Sequence, residues 1–261
     1  MALTIIVPCF NEAESVPRLL DELGGVARGL SATEPVDLLF VDDGSTDETA
    51  RLLEAHGGWP VPTRVVRHGR NLGLGAAIRT GFAAATGDRL VVTDADGTYD
   101  FGSIPRLLGM LRDGISIVTA SPYHPGGGVE GVPAYRLVLS RGASSIYRLL
   151  VDRRIHTYTA MYRAYRADLA RTVPFDSDGY LAMAEILVNG LRGGARVAEF
   201  PCVLRVRRYG QSKARVAQIV RAHLRFAWRV LSTPRPRAVS TRTAGGSGIE
   251  GDRLPVDQLP G

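Results

Sequence analysis

Two aspartates one residue apart, Asp94 and Asp96, are the side chains of this sequence best placed to do chemistry. They follow the apolar run of residues 90–93, which is typical of a buried strand, so both carboxylates emerge at its carboxyl end. Ligands of open α/β sheets bind at that edge. Crowded carboxylates repel each other unless a divalent cation lies between them, and such a cation recruits phosphate oxygens. The pattern predicts a metal site for a phosphate-bearing ligand; the alternative is a solvated turn.

Two further polar segments also follow predicted strands and should reach the same edge. Residues 8–12 come after the first apolar run, and residues 41–47 come after the second. A carboxylate such as Asp43 can accept the ring N–H of uracil or guanine, which would select a nucleotide base. Taken alone, residues 42–45 are explained equally well by a turn and a helix cap. Convergence of the three segments favours a nucleotide site.

Alternation of short apolar runs with amphipathic stretches predicts the elements that position these segments. Strands are expected at 3–7, 37–41, 63–67, 89–93 and 115–120, and helices at 13–30, 47–56, 74–85 and 103–113. This alternation predicts an α/β fold with a mostly parallel sheet and helices on both faces. Asn11 and Asp47 are expected N-caps, and Pro105 suits a first helical turn.

The second half of the sequence is less regular. Residues 121–132 are rich in Gly and Pro and predict a mobile loop. We expect helices at 133–151 and 178–192, a strand near 196–206 and an amphipathic helix at 213–231. That last helix would carry Val216, Val220, Leu224, Ala227 and Leu231 on one face and Arg221, Arg225 and Arg229 on another. The composition of residues 232–261 predicts a disordered tail.

Composition and charge narrow the functional classes. Hydrophobic residues make up 45% of the 261, which is typical of a globular protein, and no apolar run approaches about 18 residues. The net charge of +6 is uneven, because residues 205–229 contain eight Lys or Arg and no acid. Such a surface faces phosphates, acidic lipid or nucleic acid. The amino terminus reads as a strand rather than a signal peptide, so a cytoplasmic location is expected.

Three other sets of residues are expected to have structural rather than catalytic roles. Residues 73–75, Gly-Leu-Gly, do not follow the first strand, where a dinucleotide-binding fingerprint belongs, so a helix N-terminus or close packing should explain them. Cys9 and Cys202 lack metal-ligand spacing. The five histidines also lack it and are expected to be surface or structural residues: His56, His68, His124, His156 and His223.

Five stretches, in this order and spacing, resemble the family 2 glycosyltransferases, and within them the polyprenyl-phosphate (dolichol-phosphate) mannosyl- and glucosyltransferases. They are VPCFNE (7–12), VDDGSTDET (41–49), NLGLGAAIRTGFAAATGD (71–88), TDADGTYD (93–100) and RRYGQSKAR (207–215). The resemblance implies a GT-A fold, a divalent metal (Mg²⁺ or Mn²⁺) and a nucleotide-diphosphate sugar such as GDP-mannose or UDP-glucose. We expect a catalytic domain at 1–211, with a nucleotide-binding half at 1–115 and an acceptor half at 116–211, before the basic helix at 212–231.

The resemblance also implies roles for individual residues on the donor side. Those expected around the nucleoside are Pro8, Phe10, Glu12, Val41 and Asp43. Those expected at the ribose and the metal-diphosphate are Asp94, Ala95 and Asp96, with Asp96 the direct metal ligand. Arg207 and Lys213 match basic residues that close over the donor diphosphate and would assist catalysis. Thr98 stands where some relatives have Gln or a similar oxygen ligand.

On the acceptor side, lipid-phosphate members have an Arg and, four residues later, a Ser that hold the phosphate. Arg136 and Ser140 match this pattern, and a spacing of four places both on one helical face. Relatives carry an Arg before the Tyr that opens the preceding loop, whereas this chain has Pro122 before Tyr123. One phosphate contact of the pattern is therefore missing or supplied by another residue.

The expected activity is metal-dependent, inverting transfer of a hexose to a polyprenyl phosphate. Phe226 and Trp228 of the basic helix would dip into the membrane interface, so the protein would bind the inner face peripherally. The alternative is a family 2 transferase with a soluble hydroxyl acceptor, such as a sugar or secondary metabolite. Its catalytic base would be sought among Asp176, Asp178 and Glu185. A nucleic-acid-binding module is not favoured, because it leaves the acidic segments unexplained.

Overall fold

The computed structural model describes residues 1–55, 58–112, 114–206 and 216–233. Its strands are β1 (Leu3–Cys9), β2 (Val36–Asp42), β3 (Thr63–Arg67), β4 (Arg89–Val92), β5 (Ile115–Ser121), β6 (Gly128–Glu130), β7 (Arg163–Arg166), β8 (Arg196–Pro201) and β9 (Val203–Arg205). Seven of them form one sheet in the order β3-β2-β1-β4-β7-β5-β8. All neighbours in it pair in parallel except β7, which is antiparallel to β4 and β5. The predicted α/β fold with a mostly parallel sheet is confirmed.

Helices cover both faces of this sheet. They are α1 (Val16–Arg18), α2 (Gly24–Ser31), α3 (Thr49–Ala55), α4 (Leu74–Ala84), α5 (Ile104–Gly109), α6 (Ala134–Leu150), α7 (Ala167–Thr172), α8 (Ala182–Arg192) and α9 (Val216–Ser232). Alternate residues of β2 enter different cores, as strand geometry requires. Leu38 and Phe40 lie in the core with α2 and α3, and Leu39 and Val41 lie in the core with α4.

Strand β7 lies in the middle of the sheet, although the sequence pattern did not predict it. Its first residue, Arg163, is fully buried. The Arg163 guanidinium donates to Thr119 Oγ1 (3.0 Å) and to the backbone carbonyls of Met183 (2.6 Å) and Tyr158 (2.8 Å). These bonds offset the cost of burying a charge. A strand built around a buried arginine has no apolar run, so hydrophobic patterning cannot find it.

The segments around β6 and β9 differ from the prediction. Residues 121–132 were expected to be a mobile loop, but they contain β6, which pairs in parallel with β9. The single strand predicted near 196–206 is two strands, β8 in the main sheet and β9 in this smaller one. The expected boundary between the two halves, at residue 115, falls on the first residue of β5. Both halves therefore share one sheet.

Two of the three predicted helix-end residues behave as expected. Asp47 Oδ1 accepts the backbone N–H of Thr49 (3.0 Å) at the start of α3, and Pro105 lies in the first turn of α5. The prediction for Asn11 was wrong. Asn11 has a left-handed φ of 53°, and its Oδ1 accepts the N–H of Thr46 (2.8 Å) from the loop after β2. It joins two loops instead of capping a helix.

Helix α9 packs on the core with a face that includes Ala227 but not Val220, Leu224 or Leu231 of the apolar face expected from the sequence. Phe226, Ala227 and Val230 are buried, whereas Leu224 and Trp228 are 56% and 71% exposed. The expectation that Phe226 dips into a membrane is therefore wrong. Within the described parts of the chain, no helix is both long enough and apolar enough to cross a membrane. The predicted tail at 232–261 begins at the last residue of α9, and its residues 234–261 lie outside the described residues.

Three polar contacts also attach α9. His223 Nδ1 lies 2.9 Å from the Tyr147 hydroxyl of α6, and burial lowers the pKa of His223 to about 4. Arg229 donates to the buried Glu185 (2.6 Å), and Arg192 of α8 donates to the carbonyl of Val230 (2.8 Å). Arg229 is thus tied to the core, whereas Arg221 and Arg225 are exposed as predicted.

Candidate active site

A polar cleft of about 390 Å³ opens at the carboxyl edge of the sheet, where β1, β2 and β4 end. Seven of the predicted donor residues line this polar cleft: Pro8, Phe10, Glu12, Asp43, Asp94, Ala95 and Asp96. Val41 does not line it, because its side chain is fully buried in the sheet core. Any contact between Val41 and a nucleoside would have to come from its backbone.

The loops after β1 and β2 are hydrogen-bonded to each other, which fixes one wall of the polar cleft. The Asn11 N–H donates to Ser45 Oγ (2.9 Å), and the Glu12 N–H donates to Thr49 Oγ1 (2.8 Å). Asp47 accepts from Thr49 and from the Ala13 N–H (3.3 Å). Burial acts to raise the pKa of Asp47, but these hydrogen bonds outweigh it and lower the pKa below its ordinary value. Asp47 is therefore a charged residue that holds the loops after β1 and β2 together.

Asp43 is buried and holds the segment that leads into α4. Its Oδ1 lies 2.7 Å from His68 Nδ1 and accepts the Leu72 N–H (2.9 Å). Its Oδ2 accepts from Asn71 Nδ2 (3.0 Å) and from the Gly73 N–H (2.8 Å). A carboxylate has about four acceptor sites, so these partners occupy its capacity. A base N–H could bind Asp43 only by sharing or displacing one of them.

The loop after β4 presents Asp94 and Asp96 to the polar cleft. Both are nearly buried, at 7% and 3% exposure. Asp96 Oδ1 accepts from the Thr98 N–H (3.0 Å) and Oγ1 (2.5 Å). Gly97 has a φ of +72°, and a Cβ there would collide with the Arg18 guanidinium. Two carboxylates held this way are the hard oxygen donors that Mg²⁺ or Mn²⁺ prefers, so the residues fit the implied metal.

Thr98 extends the site, although the sequence offered it only as a replacement for an oxygen ligand. Its hydroxyl orients Asp96, and its carbonyl accepts the Arg205 N–H (3.1 Å) of β9. The loop that carries Asp96 is thus bonded to the strand that ends two residues before Arg207. Arg207 and Lys213 themselves lie outside the described residues.

Cys9 also lines the polar cleft. Burial is the main cause that raises the pKa of its thiol well above the usual value, and nearby carboxylates, Glu12 first, raise it further. Its Sγ donates to the carbonyl of Val7 (3.5 Å). Because a thiolate is the form that attacks or binds metal, Cys9 is a structural thiol.

The glycines of residues 73–75 pack against a loop beside the polar cleft. Gly73 lies at the N-terminus of α4 with a φ of +104°, and a Cβ on Gly75 would lie 2.0 Å from the carbonyl oxygen of Ser177. The Gly75 N–H donates to the carbonyl of Asp178 (2.7 Å). Both expected explanations, a helix N-terminus and close packing, are confirmed.

An apolar groove of about 450 Å³ runs between α6 and α9, next to the polar cleft. Arg136, Ser140 and Thr159 line it together with apolar side chains of both helices. Ser140 Oγ lies 2.6 Å from Thr159 Oγ1. Tyr180 lines both the apolar groove and the polar cleft, so the two cavities adjoin at this residue. The sequence did not single out Tyr180.

The three carboxylates considered as a catalytic base have other partners. Glu185 is 2% exposed, pairs with Arg229 and accepts the N–H groups of Asp176 (3.1 Å) and Ser177 (2.8 Å). Asp178 is exposed and pairs with Arg79 (2.9 Å). None of the three lines the described part of the polar cleft.

Residues 4–173 match the domain named glycosyl transferase family 2. The chain belongs to this family. Over 234 residues it is 30% identical to the dolichol-phosphate mannosyltransferase of Pyrococcus furiosus, covering 88% of this chain and 64% of that protein. It is 34% identical over 230 residues to the polyprenol monophosphomannose synthase of Mycolicibacterium smegmatis, covering 85% and 84% of the two chains.

The fold of this family 2 glycosyltransferase resembles solved structures of the same architecture. Glucosyl-3-phosphoglycerate synthase from Mycobacterium tuberculosis, crystallised with Mn²⁺, uridine diphosphate and glucosyl-3-phosphoglycerate, aligns with a TM-score of 0.67 at 21% identity. The alignment covers 89% of this chain and 81% of that one. The expected GT-A fold and glycosyltransferase class are confirmed.

Proposed function

We propose that this enzyme transfers a hexose from a nucleotide-diphosphate sugar to a polyprenyl phosphate. The observation that carries the proposal is the meeting of the polar cleft with the apolar groove at Tyr180. Arg136 and Ser140, on α6, lie in the lining of that groove, where a phosphate-bearing lipid would need them. The names of the relatives support the lipid acceptor, since those proteins act on dolichol phosphate, or make polyprenol monophosphomannose.

On the donor side, the nucleoside would lie along residues 8–12 and Asp43. Asp94 and Asp96 would hold a divalent cation, which neutralises the charge that grows on the departing diphosphate. We also propose that Arg207 and Lys213 face that diphosphate. The bond between the Arg205 N–H and Thr98 supports this, because the chain enters residues 207–215 from beside the Asp96 loop. Calorimetric titration of both nucleotide sugars, with and without Mn²⁺, decides whether the donor is GDP-mannose or UDP-glucose.

On the acceptor side, a phosphate oxygen is already anionic near neutral pH and needs no general base. This agrees with the finding that Asp176, Asp178 and Glu185 do not belong to the described lining of the polar cleft. The Arg136 guanidinium and the Ser140 hydroxyl would orient the phosphate for in-line attack at the anomeric carbon, with inversion. A soluble alcohol would instead require a base among the lining carboxylates.

The outer face of α9 supports peripheral binding at the cytoplasmic face of a membrane. Val220, Leu224, Trp228 and Leu231 expose large apolar side chains, and Arg221 and Arg225 flank them. Each arginine near an anionic membrane surface contributes about 1 kcal/mol to the free energy of membrane binding. The apolar groove opens beside this face, because Val220 and Leu224 line it too. A prenyl chain could therefore pass from the bilayer into the groove.

The test uses labelled GDP-mannose or UDP-glucose, Mn²⁺, and either a short polyprenyl phosphate or a panel of soluble alcohols. Label should move into the organic phase with the lipid. The Arg136→Ala variant should lower transfer by about 10- to 100-fold at low lipid concentration and leave donor affinity unchanged, since one charged hydrogen bond is lost. Arg148→Ala, on the same helix, is the matched control with normal transfer. Label that remains in water, in sugars or alcohols, would refute the lipid acceptor.

A further inference from the structure

A second cluster of metal-ligating side chains lies outside the polar cleft. His124, His156 and Glu199 each offer a ligand atom, and these atoms lie within 4.8 Å of one another. The three residues come from the loop after β5, the loop before β7 and strand β8. They are separated by 32 and 43 positions in the sequence, so no spacing motif could reveal the cluster. None of them lines the described polar cleft.

Glu199 is hydrogen-bonded to His156 in an arrangement that suits metal binding by the imidazole. Glu199 Oε1 accepts from Ser121 Oγ (2.6 Å) and from the N–H groups of His156 (2.8 Å) and Thr157 (3.1 Å). Glu199 Oε2 lies 2.6 Å from His156 Nδ1. A carboxylate paired with Nδ1 places the proton there and leaves the Nε2 lone pair for a metal, as in carboxylate–histidine–zinc arrangements. His156 is 24% exposed, so an ion can reach it.

The distance between the two imidazole rings is compatible with a shared ion. Their centroids are 5.2 Å apart, and the planes meet at 76°. Two imidazoles on one tetrahedral ion, with Zn–N of about 2.1 Å, have centroids about 5 Å apart. Imidazole nitrogens suit Zn²⁺, Cu²⁺ or Ni²⁺, whereas Mg²⁺ and Mn²⁺ favour oxygen. An ion bound by these imidazoles would therefore belong to a different class from one bound by Asp94 and Asp96.

We propose that His124 and His156 form a second metal site, for a Zn²⁺-class ion, in which Glu199 orients His156. The site would join the loop that carries Tyr123 to the loop that carries Thr159, beside the apolar groove. One contact opposes binding, since the Gly126 N–H donates to His124 Nδ1 (3.1 Å). Ligation through Nε2 needs the other tautomer and must replace that bond. The affinity should be lower than that of a preorganised three-ligand site.

The experiment is calorimetric titration of Zn²⁺ into the metal-stripped full-length protein, without a polyhistidine tag and with Mg²⁺ in excess to occupy the aspartates. The wild-type protein should bind one Zn²⁺ and unfold at a higher temperature with it. His124→Asn and His156→Asn should each abolish this binding. Glu199→Gln should weaken it by about 10- to 100-fold, the usual effect of losing an orienting partner.

Asp96→Asn is the matched control, because it alters the other metal site and should leave Zn²⁺ binding in excess Mg²⁺ unchanged. Circular dichroism spectra of the metal-free variants establish that each one is folded. Zn²⁺ binding that survives both histidine substitutions would overturn the proposal. So would binding that disappears in Asp96→Asn, or no Zn²⁺ binding by a folded wild-type protein. None of these results depends on the identity of the sugar acceptor.

Discussion

The polar cleft and the apolar groove adjoin, but different forces hold them in shape. Hydrogen bonds between neighbouring loops fix the polar cleft, as the four partners of Asp43 illustrate. Helix packing forms the apolar groove, whose second wall, α9, is attached by three buried apolar residues and a few polar contacts. A substitution confined to the contacts of one cavity should therefore spare the other, except at Glu185, which contacts both α9 and the loop beside the polar cleft.

Asp96→Ala should have the largest effect, because it removes a carboxylate placed to bind the metal. We expect metal-dependent donor binding to disappear and turnover to fall by about 10³-fold or more. Calorimetry with GDP-mannose and UDP-glucose, with and without Mn²⁺, measures this and also identifies the donor that wild type prefers. Vesicle binding should be unchanged. Substantial turnover by a folded variant would refute the metal role.

Phe226→Ala tests the other cavity. Phe226 is 3% exposed in the core, so its loss should lower the free energy of unfolding by about 3–5 kcal/mol and loosen α9. Donor binding should survive below the unfolding temperature. Trp228→Ala is the matched change, because Trp228 is 71% exposed. It should alter stability by less than about 0.5 kcal/mol yet weaken binding to anionic vesicles. Equal destabilisation by both variants would contradict the two-faced helix.

Acidification should lower the free energy of unfolding through His223, which lines the apolar groove. The folded-state pKa of His223 is about 4, below the ordinary value of 6.5, so the unfolded chain binds more protons between those values. Stability that is present above pH 6.5 is therefore lost as the pH falls toward 4. The loss from pH 7 to pH 5 should be about 2 kcal/mol. Denaturant unfolding measures it, and a His223→Gln variant that keeps the same pH dependence would exclude His223 as the cause.

Thr98→Val should have the smallest effect of the four. It removes the hydroxyl that orients Asp96 while keeping the size of the side chain, so Mn²⁺ affinity should fall by about 10-fold. Titration of Mn²⁺ in the presence of the donor nucleotide measures the change. An unchanged affinity would show that the backbone N–H of Thr98 is sufficient to hold Asp96.

The same contrast explains how much the sequence could predict. Residues at the ends of parallel strands were placed correctly, because strand order alone brings residues 8–12, 41–47 and 94–96 to one edge. Asn11 was misjudged, because its partner Thr46 is on another loop. β7 was missed because its buried first residue, Arg163, is charged and therefore gives no hydrophobic signal in the sequence. The roles of Arg207 and Lys213 stay predictions.

The apolar groove was the harder part, because its walls meet only through tertiary packing. The helical pattern of residues 216–232 was found, but apolar residues occupy two of its faces and the pattern could not say which one is buried. Contacts between distant segments of the chain place Tyr180 at both cavities. Such contacts also bring His124 close to His156. No local spacing records such contacts.

Glu185 makes α9 an integral part of the fold, although this helix comes last among the described elements. One oxygen of this carboxylate binds Arg229, and the other accepts the N–H groups that shape the loop packed on Gly73 and Gly75. The helix is consequently not an exchangeable module. A chimaera that replaces α9 with a different helix must therefore keep an arginine at position 229. Without it, the buried carboxylate of Glu185 would lose its cationic partner near the N-terminus of α4.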